Sequence, residues 1–202
     1  MKRQLFILLI GGLIGSGGLM AQKMYKSGTG GTAMIILDTT VEAGMPLGGQ
    51  TNEHKYTGIY TTSNVSNTAF VGGSLQASLD ANAVPYEKLA IAMMDVANAT
   101  THPTVLGTGV TMDWKSAVLR CAGLTYAGLT GWRLPTAREL TLIRIFEVPL
   151  ANMGAAMHPI WYNSITEATA TVTYLLDFSS GYIANTDLKI STRGYARCVK
   201  EL

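Results

Sequence analysis

The sequence predicts an α+β domain, two helices packed on antiparallel strands, preceded by a Gly/Thr/Ser-rich β segment. Three observations carry this reading. Trp114, Ala117, Val118 and Cys121 recur at three- and four-residue spacing, which places them on one face of a helix. Thr136-Ala137-Arg138-Glu139 has the form of a capping box, in which the Thr hydroxyl takes the N3 amide and the Glu carboxylate reaches back to the cap amide. Beta-branched and aromatic residues then dominate from Ile160 to Lys200. Helices followed by a run of strands is the α+β pattern.

The elements follow in order. Met1-Lys2-Arg3-Gln4 is a basic n-region and Leu5 to Ile10 an apolar h-region. A Gly-rich stretch runs on to Met20, and Ala21 offers a small residue for cleavage. Residues 1–21 therefore read as a secretory signal peptide, with a mature start at Gln22. The alternative is an uncleaved anchor, but Leu5 to Met20 falls short of the ~20 apolar residues a spanning helix needs. Five glycines in that stretch weaken it further as a helix.

Residues 22–83 form a β-rich segment to which the sequence assigns no role. Lys23 to Thr32 reads as a loose leader and Thr32 to Asp38 as a short strand. Tyr56–Thr62 and Ala69–Leu75 read as short strands, with turns at Ser63-Asn64 and Gly72-Gly73. The second unit, 84–202, opens near Pro85. Leu89 to Met94 is an apolar run of buried-strand length, and His102-Pro103 to Gly109 is a loop. Thr111 or Asp113 caps the first helix, which ends near Gly123. The second helix starts at Thr136, carries Leu140, Ile143 and Phe146 on its apolar face, and is expected to end at Pro149. Strands over 160–166, 169–178, 183 onward and 194–200 complete the chain.

Composition excludes several classes. Hydrophobic residues make up 48% of the 202, enough for a core, and charged residues only 14%. Without Lys2 and Arg3 the 15 basic residues fall to 13, equal to the 13 acidic ones. A balanced chain lacks the clustered Lys/Arg of a nucleic-acid binder or a polybasic membrane-surface protein. No cysteine near the cleavage point serves a lipoprotein anchor. No later apolar run is long enough to span a membrane. Two cysteines, Cys121 and Cys198, remain in the mature chain; an even count in an exported protein points to a disulfide, the alternative being two buried thiols.

Four stretches of the second half resemble one bacterial domain family. They are Trp114-Lys115-Ser116-Ala117 with Cys121, Gly131-Trp132-Arg133-Leu134-Pro135-Thr136 with Glu139-Leu140, Tyr162 to Glu167, and Ala196-Arg197-Cys198-Val199-Lys200. In order and spacing they are similar to the W-x-x-A…C, WRLPT-x-x-EL, YWSSTE and RCVR segments of the DUF1566 or Lcl C-terminal domain. The resemblance covers roughly residues 85–202. It implies a C-type-lectin-like fold with Cys121 paired to Cys198, and structural roles for Trp114, Trp132, Arg133, Leu134, Pro135, Thr136, Glu139 and Arg197. Asn163 stands where the family commonly has Trp, and Ile165 where it has Ser. The calcium-dependent sugar motifs of animal C-type lectins are absent.

Reactive chemistry finds little support. His54, His102 and His158 are isolated and show no metal-ligand spacing, so no metal and no cofactor is expected. The run from Gly28 to Ala33 satisfies a loose G-x-G-x-x-A pattern but precedes a strand instead of following one, which defeats a dinucleotide reading. No G-x-S-x-G nucleophile elbow occurs. Asp95, Asp113, Glu139, Glu147 and Glu167 are scattered, and capping accounts for Glu139. The formylglycine-generating enzymes of related fold need reactive cysteines, and a disulfide-bound sulfur cannot act as thiolate or ligand. Trp114 and Trp132 read as core packing. Arg133 reads as pairing with an acid or backbone carbonyls inside the domain.

The candidate ligand surface is Tyr162, Asn163, Tyr174, Tyr182 and Tyr195, in the strand-and-loop region where lectin-like folds present ligands. The expected function is an exported, non-catalytic, adhesin-type protein that recognises a glycan or surface polymer without calcium. The alternative is a structural subunit of a surface appendage or envelope complex with a protein partner, assembled through residues 22–83. On that alternative, deleting 22–83 is expected to leave a folded domain. Periplasmic, secreted and cell-surface locations are all open.

Overall fold

The computed structural model describes residues 23–38, 62–69, 88–96 and 109–202. The signal segment, the turn expected at Gly72-Gly73, the strands expected at 56–62 and 69–75 save Thr62 and Ala69, and the loop expected at 102–109 save Gly109 lie outside the described residues. Two antiparallel sheets organise the molecule. The first has four strands in the order β1 (Lys23–Ser27), β2 (Met34–Asp38), β3 (Lys88–Asp95), β7 (Arg197–Glu201). The second has three, β4 (Trp161–Glu167), β5 (Val172–Asp177) and β6 (Ile183–Leu188), with β5 in the middle. Helices α1 (Trp114–Ala122), α2 (Ala137–Ile145) and α3 (Glu147–Asn152) come between β3 and β4 in the chain. The mixed α+β class expected from the sequence is the one observed.

The two longer helices start where local chemistry directs. The Asp113 carboxylate accepts from Ser116 N–H at 3.1 Å and caps α1. Thr136 Oγ1 accepts from Glu139 N–H at 3.1 Å while Glu139 Oε2 accepts from Thr136 N–H at 2.8 Å, a complete capping box. Pro149 does not end α2, contrary to expectation. The chain turns at Phe146 (φ −96°, ψ 16°), and Pro149 lies in the first turn of α3. Its missing N–H costs nothing there, because the first four amides of a helix have no partner within it.

The core sits between the sheets and the helices. Ile35, Leu37, Leu89, Ile91, Trp114, Ala117, Val118, Cys121, Leu134, Leu140 and Ile143 pack there. Each large side chain buried this way contributes about 1.5–3 kcal/mol. In β3, an inner strand between β2 and β7, consecutive residues Leu89–Met93 are all buried, so side chains on both faces are covered.

Residues 23–27 and 34–38 are built into this sheet. Lys23–Ser27 is a paired strand, not a loose leader, in register with Met34–Asp38 from Ser27↔Met34 to Lys23↔Asp38. β2 in turn pairs with β3 from Met34↔Ala92 to Asp38↔Lys88. The Tyr126 hydroxyl donates to Ala33 O. Residues 62–69 lie against the start of α1, with the expected turn at Ser63-Asn64. Asn67 Nδ2 donates to Asp113 Oδ1 and Asn67 Oδ1 accepts from Lys115 N–H, both at 3.0 Å.

The two sheets are joined by the last segment of the chain. Tyr195 lies parallel to Tyr162 at the free side of β4, and Gly194 bridges to Met112. Two residues later the chain enters β7, whose Val199 also bridges to Arg133. One short stretch thus closes both sheets.

Candidate functional site

Most of the motif residues form the frame. Cys121 on α1 and Cys198 on β7 are bonded, with Cα atoms 5.4 Å apart and a separation of 77 positions in sequence. Trp114 is fully buried and its Nε1 donates to Ser164 O at 2.8 Å. Trp132 Nε1 donates to Leu129 O, and its ring lies 5.6 Å from that of Tyr126. Arg133 holds Glu139 with two bonds of 2.7 Å and Glu201 with bonds of 2.8 and 3.2 Å. Glu139 therefore serves the capping box and the guanidinium together. Leu134 and Pro135 are buried, and Pro135 O accepts from Ile165 N–H at 2.8 Å.

Two buried ionic clusters could not be paired from sequence. In the first, Arg197 Nε donates to Asp95 Oδ1 at 2.6 Å and the Tyr162 hydroxyl donates to Asp95 Oδ2 at 2.7 Å. The other Arg197 nitrogens donate to the carbonyls of Ala92, Met93, Ala155 and Ala156. Against the cost of burial, the Asp95 charge holds the guanidinium firmly protonated. Burial, reinforced by Asp95, pushes the Tyr162 phenol upward, so it stays neutral. In the second cluster Lys189 Nζ donates to Glu167 Oε1 and to Ala69 O, and sits 4.4 Å from the centre of the Trp114 ring. Burial pushes the Lys189 ammonium below the usual lysine range, against the pull of Glu167.

The five residues expected on a ligand surface separate. Tyr162 is fully buried, so it is a core residue and presents nothing to a ligand. Asn163 is also buried; its Nδ2 donates to Gly194 O at 2.8 Å and to Met112 O at 3.3 Å. A Cβ at position 194 would lie 2.5 Å from that nitrogen, so glycine is what lets the loop come this close. Tyr195 is half-buried and stacks on His158 with centroids 4.9 Å apart. Tyr174 is half-buried. Only Tyr182 is largely exposed, at 61%.

Tyr182 belongs to a group that sequence reasoning missed. Trp161 pairs with Asp177 across β4–β5, and Asp177 N–H donates to Tyr182 O, so the three stand in one row. The Trp161 and Tyr182 rings meet edge to face, with centroids 6.1 Å apart. Arg193 stands over the Trp161 ring at 5.2 Å and donates to Asp187 Oδ1 on β6 at 2.7 Å. Its side chain thus contacts residues of both β4 and β6. Asp187 is buried while Arg193 is about half exposed. Against the effect of burial, hydrogen bonds from Ser179 and Ser180 keep the Asp177 carboxyl below its ordinary value, and so charged.

The missed signal was the phase of β4. Trp161 and Asn163 share a face and Tyr162 points the other way, so a shift of one residue exchanges surface for core. Burial does not reveal the phase, because β4 is covered on both sides over 162–167. Among the described residues, no group of three or more His, Cys, Asp or Glu is placed to hold a metal ion. No helix among them is long and apolar enough to cross a membrane.

A family model described as the Lcl C-terminal domain matches residues 91–200, more than half of the chain. The chain belongs to the Lcl C-terminal domain family. The Lcl C-terminal domain match begins inside β3 and stops inside β7, two neighbouring strands of one sheet. β1 and β2 lie outside the match yet complete that sheet. The bonded cysteines and the Trp132–Glu139 run lie within it. No curated protein matches the chain.

Proposed function

We propose that this protein is an exported, non-catalytic binding protein of the adhesin type, with a C-type-lectin-like domain that recognises a glycan or surface polymer without calcium. The observation that carries the reading is the exposed Tyr182 ring set edge to face with Trp161 and bordered by the Arg193–Asp187 pair. Rigid aromatic area beside fixed donors and acceptors is the chemistry of a recognition surface. The disulfide and the N-terminal basic-apolar segment support export.

The test is binding of the mature chain, residues 22–202, to a panel of glycans and matrix polymers with and without EDTA. Binding that survives EDTA and weakens in Tyr182→Ala and Trp161→Ala is expected. Loss of binding on adding EDTA would overturn the calcium-free reading, and binding indifferent to both substitutions would overturn the surface.

A second reading, a structural subunit of a surface assembly, is favoured by a different observation. Ile183, Leu188 and Ile190 are exposed on and just after β6, an outer strand of its sheet. Outer strands with apolar side chains are ready sites for pairing with another chain. Light scattering separates the two readings: a monomer that binds glycan supports the first, and a concentration-dependent assembly lost in Leu188→Lys supports the second.

A further inference from the structure

We infer that the Trp161–Tyr182 face takes an uncharged hexopyranose glycan, and that acidic polysaccharides are poor ligands for it. The inference rests on the glycan-binding reading above and narrows it to a ligand class.

The first ground is charge. Asp177, Asp187 and Arg193 are charged groups of this face, and Glu167, in the row of Asp187, is matched by Lys189. Arg193, which an acidic sugar would seek, already donates to Asp187 at 2.7 Å. Its positive charge is thereby matched by a carboxylate, so the pair presents no net positive charge to a sulfate or carboxylate. Two carboxylates against one guanidinium leave the face net negative, which repels a polyanion. The Lys189 ammonium offers no relief, since it is fully buried and held by Glu167.

The second ground is shape and polarity. A neutral pyranose has an apolar C–H face and a rim of hydroxyls. The Tyr182 ring offers a flat, exposed apolar surface to the first. The half-exposed guanidinium offers donors to the second while it stays bound to Asp187. The Trp161 ring under Arg193 and against Tyr182 fixes both groups in place, so little conformational freedom is lost on binding.

The experiment uses the mature chain on immobilised galactomannan and cellohexaose as neutral probes, and on heparin and polygalacturonate as acidic ones, at low and high ionic strength. Expected are capture on a neutral probe that added salt does not weaken, little capture on the acidic probes, and about tenfold weaker neutral binding in Tyr182→Ala. Tyr182 is a surface residue, so the variant's fold is checked simply by an unchanged thermal midpoint. Salt-sensitive capture on heparin or polygalacturonate in preference to the neutral probes would overturn this inference and leave glycan binding standing. Neutral capture unchanged in Tyr182→Ala would overturn the assigned face. Failure on all four probes would overturn this inference, and failure across the wider panel would overturn the glycan reading itself.

Discussion

Arg197 lies sealed inside the molecule with its Nε 2.6 Å from Asp95 Oδ1, joining residues 102 positions apart. Both side chains are at most 2% exposed. The same guanidinium ties β3 and β7 to the carbonyls of Ala155 and Ala156, ahead of β4. Removing one partner would strand a buried charge. Arg197→Ala is expected to lower unfolding free energy by about 3–5 kcal/mol, read from the urea midpoint. A loss within 1 kcal/mol would show that the pair is dispensable.

Reduction is expected to cost a similar amount by a different route. The Cys121–Cys198 bond closes a separation of 77 residues, and the loop-entropy relation puts its contribution at about 4–5 kcal/mol. A Cys121→Ala/Cys198→Ala double variant, melted beside the oxidised parent, measures it. An unchanged melting temperature would contradict the bond's presence or its value.

A chain starting at residue 84 is not expected to fold cooperatively. This departs from what the assembly-subunit alternative expects, a folded domain after deletion of residues 22–83. Without β2, β3 would lose the whole Met34–Asp38 ladder on one side. Tyr126 would lose its acceptor at Ala33, and Lys189 its acceptor at Ala69. Thermal melting followed by near-ultraviolet circular dichroism decides the matter, and a sharp transition in the shortened chain would refute it.

Acid is expected to weaken the fold at the start of α1. Hydrogen bonds from Ser116 and Asn67 outweigh burial and hold the Asp113 carboxyl below its ordinary 3.8. A carboxyl depressed in the folded state contributes stability that is present above its unfolded value and lost as pH falls through the folded one. Urea midpoints should therefore drop below about pH 4. Asp113→Asn should flatten that drop, and an identical slope in the variant would remove Asp113 from the account. Asn67→Ala should cost about 1 kcal/mol through the loss of this shared cap.

Legibility followed the range of the interactions. The Thr136–Glu139 box and the Asp113 cap were readable because their partners lie within three residues. The helical stripe from Trp114 to Cys121 was readable from spacing alone, and all four of its residues are buried. β1 was not readable: Lys-Met-Tyr-Lys-Ser becomes a strand through its partner β2, not through its own propensity. The surface aromatics were misassigned between Tyr162 and Trp161. Alternation is masked in β4, and its pairing with β5 shifts register between Asn163 and Glu167.

By itself, then, the sequence determined the starts of α1 and α2, the candidate cysteine pair, the α+β class and the family. Each depends on residues close in the chain, or on composition and motif order that survive any register. Only the tertiary structure decided that Arg197 answers Asp95, that Lys189 answers Glu167, and that Tyr182 and Trp161 face outward while Tyr162 faces in. Those pairings join residues up to 102 positions apart. Their physical reason is strand register. A shift of a single residue exchanges core and surface, and what holds the register is the neighbouring strands and the closing stretch of residues 194–201.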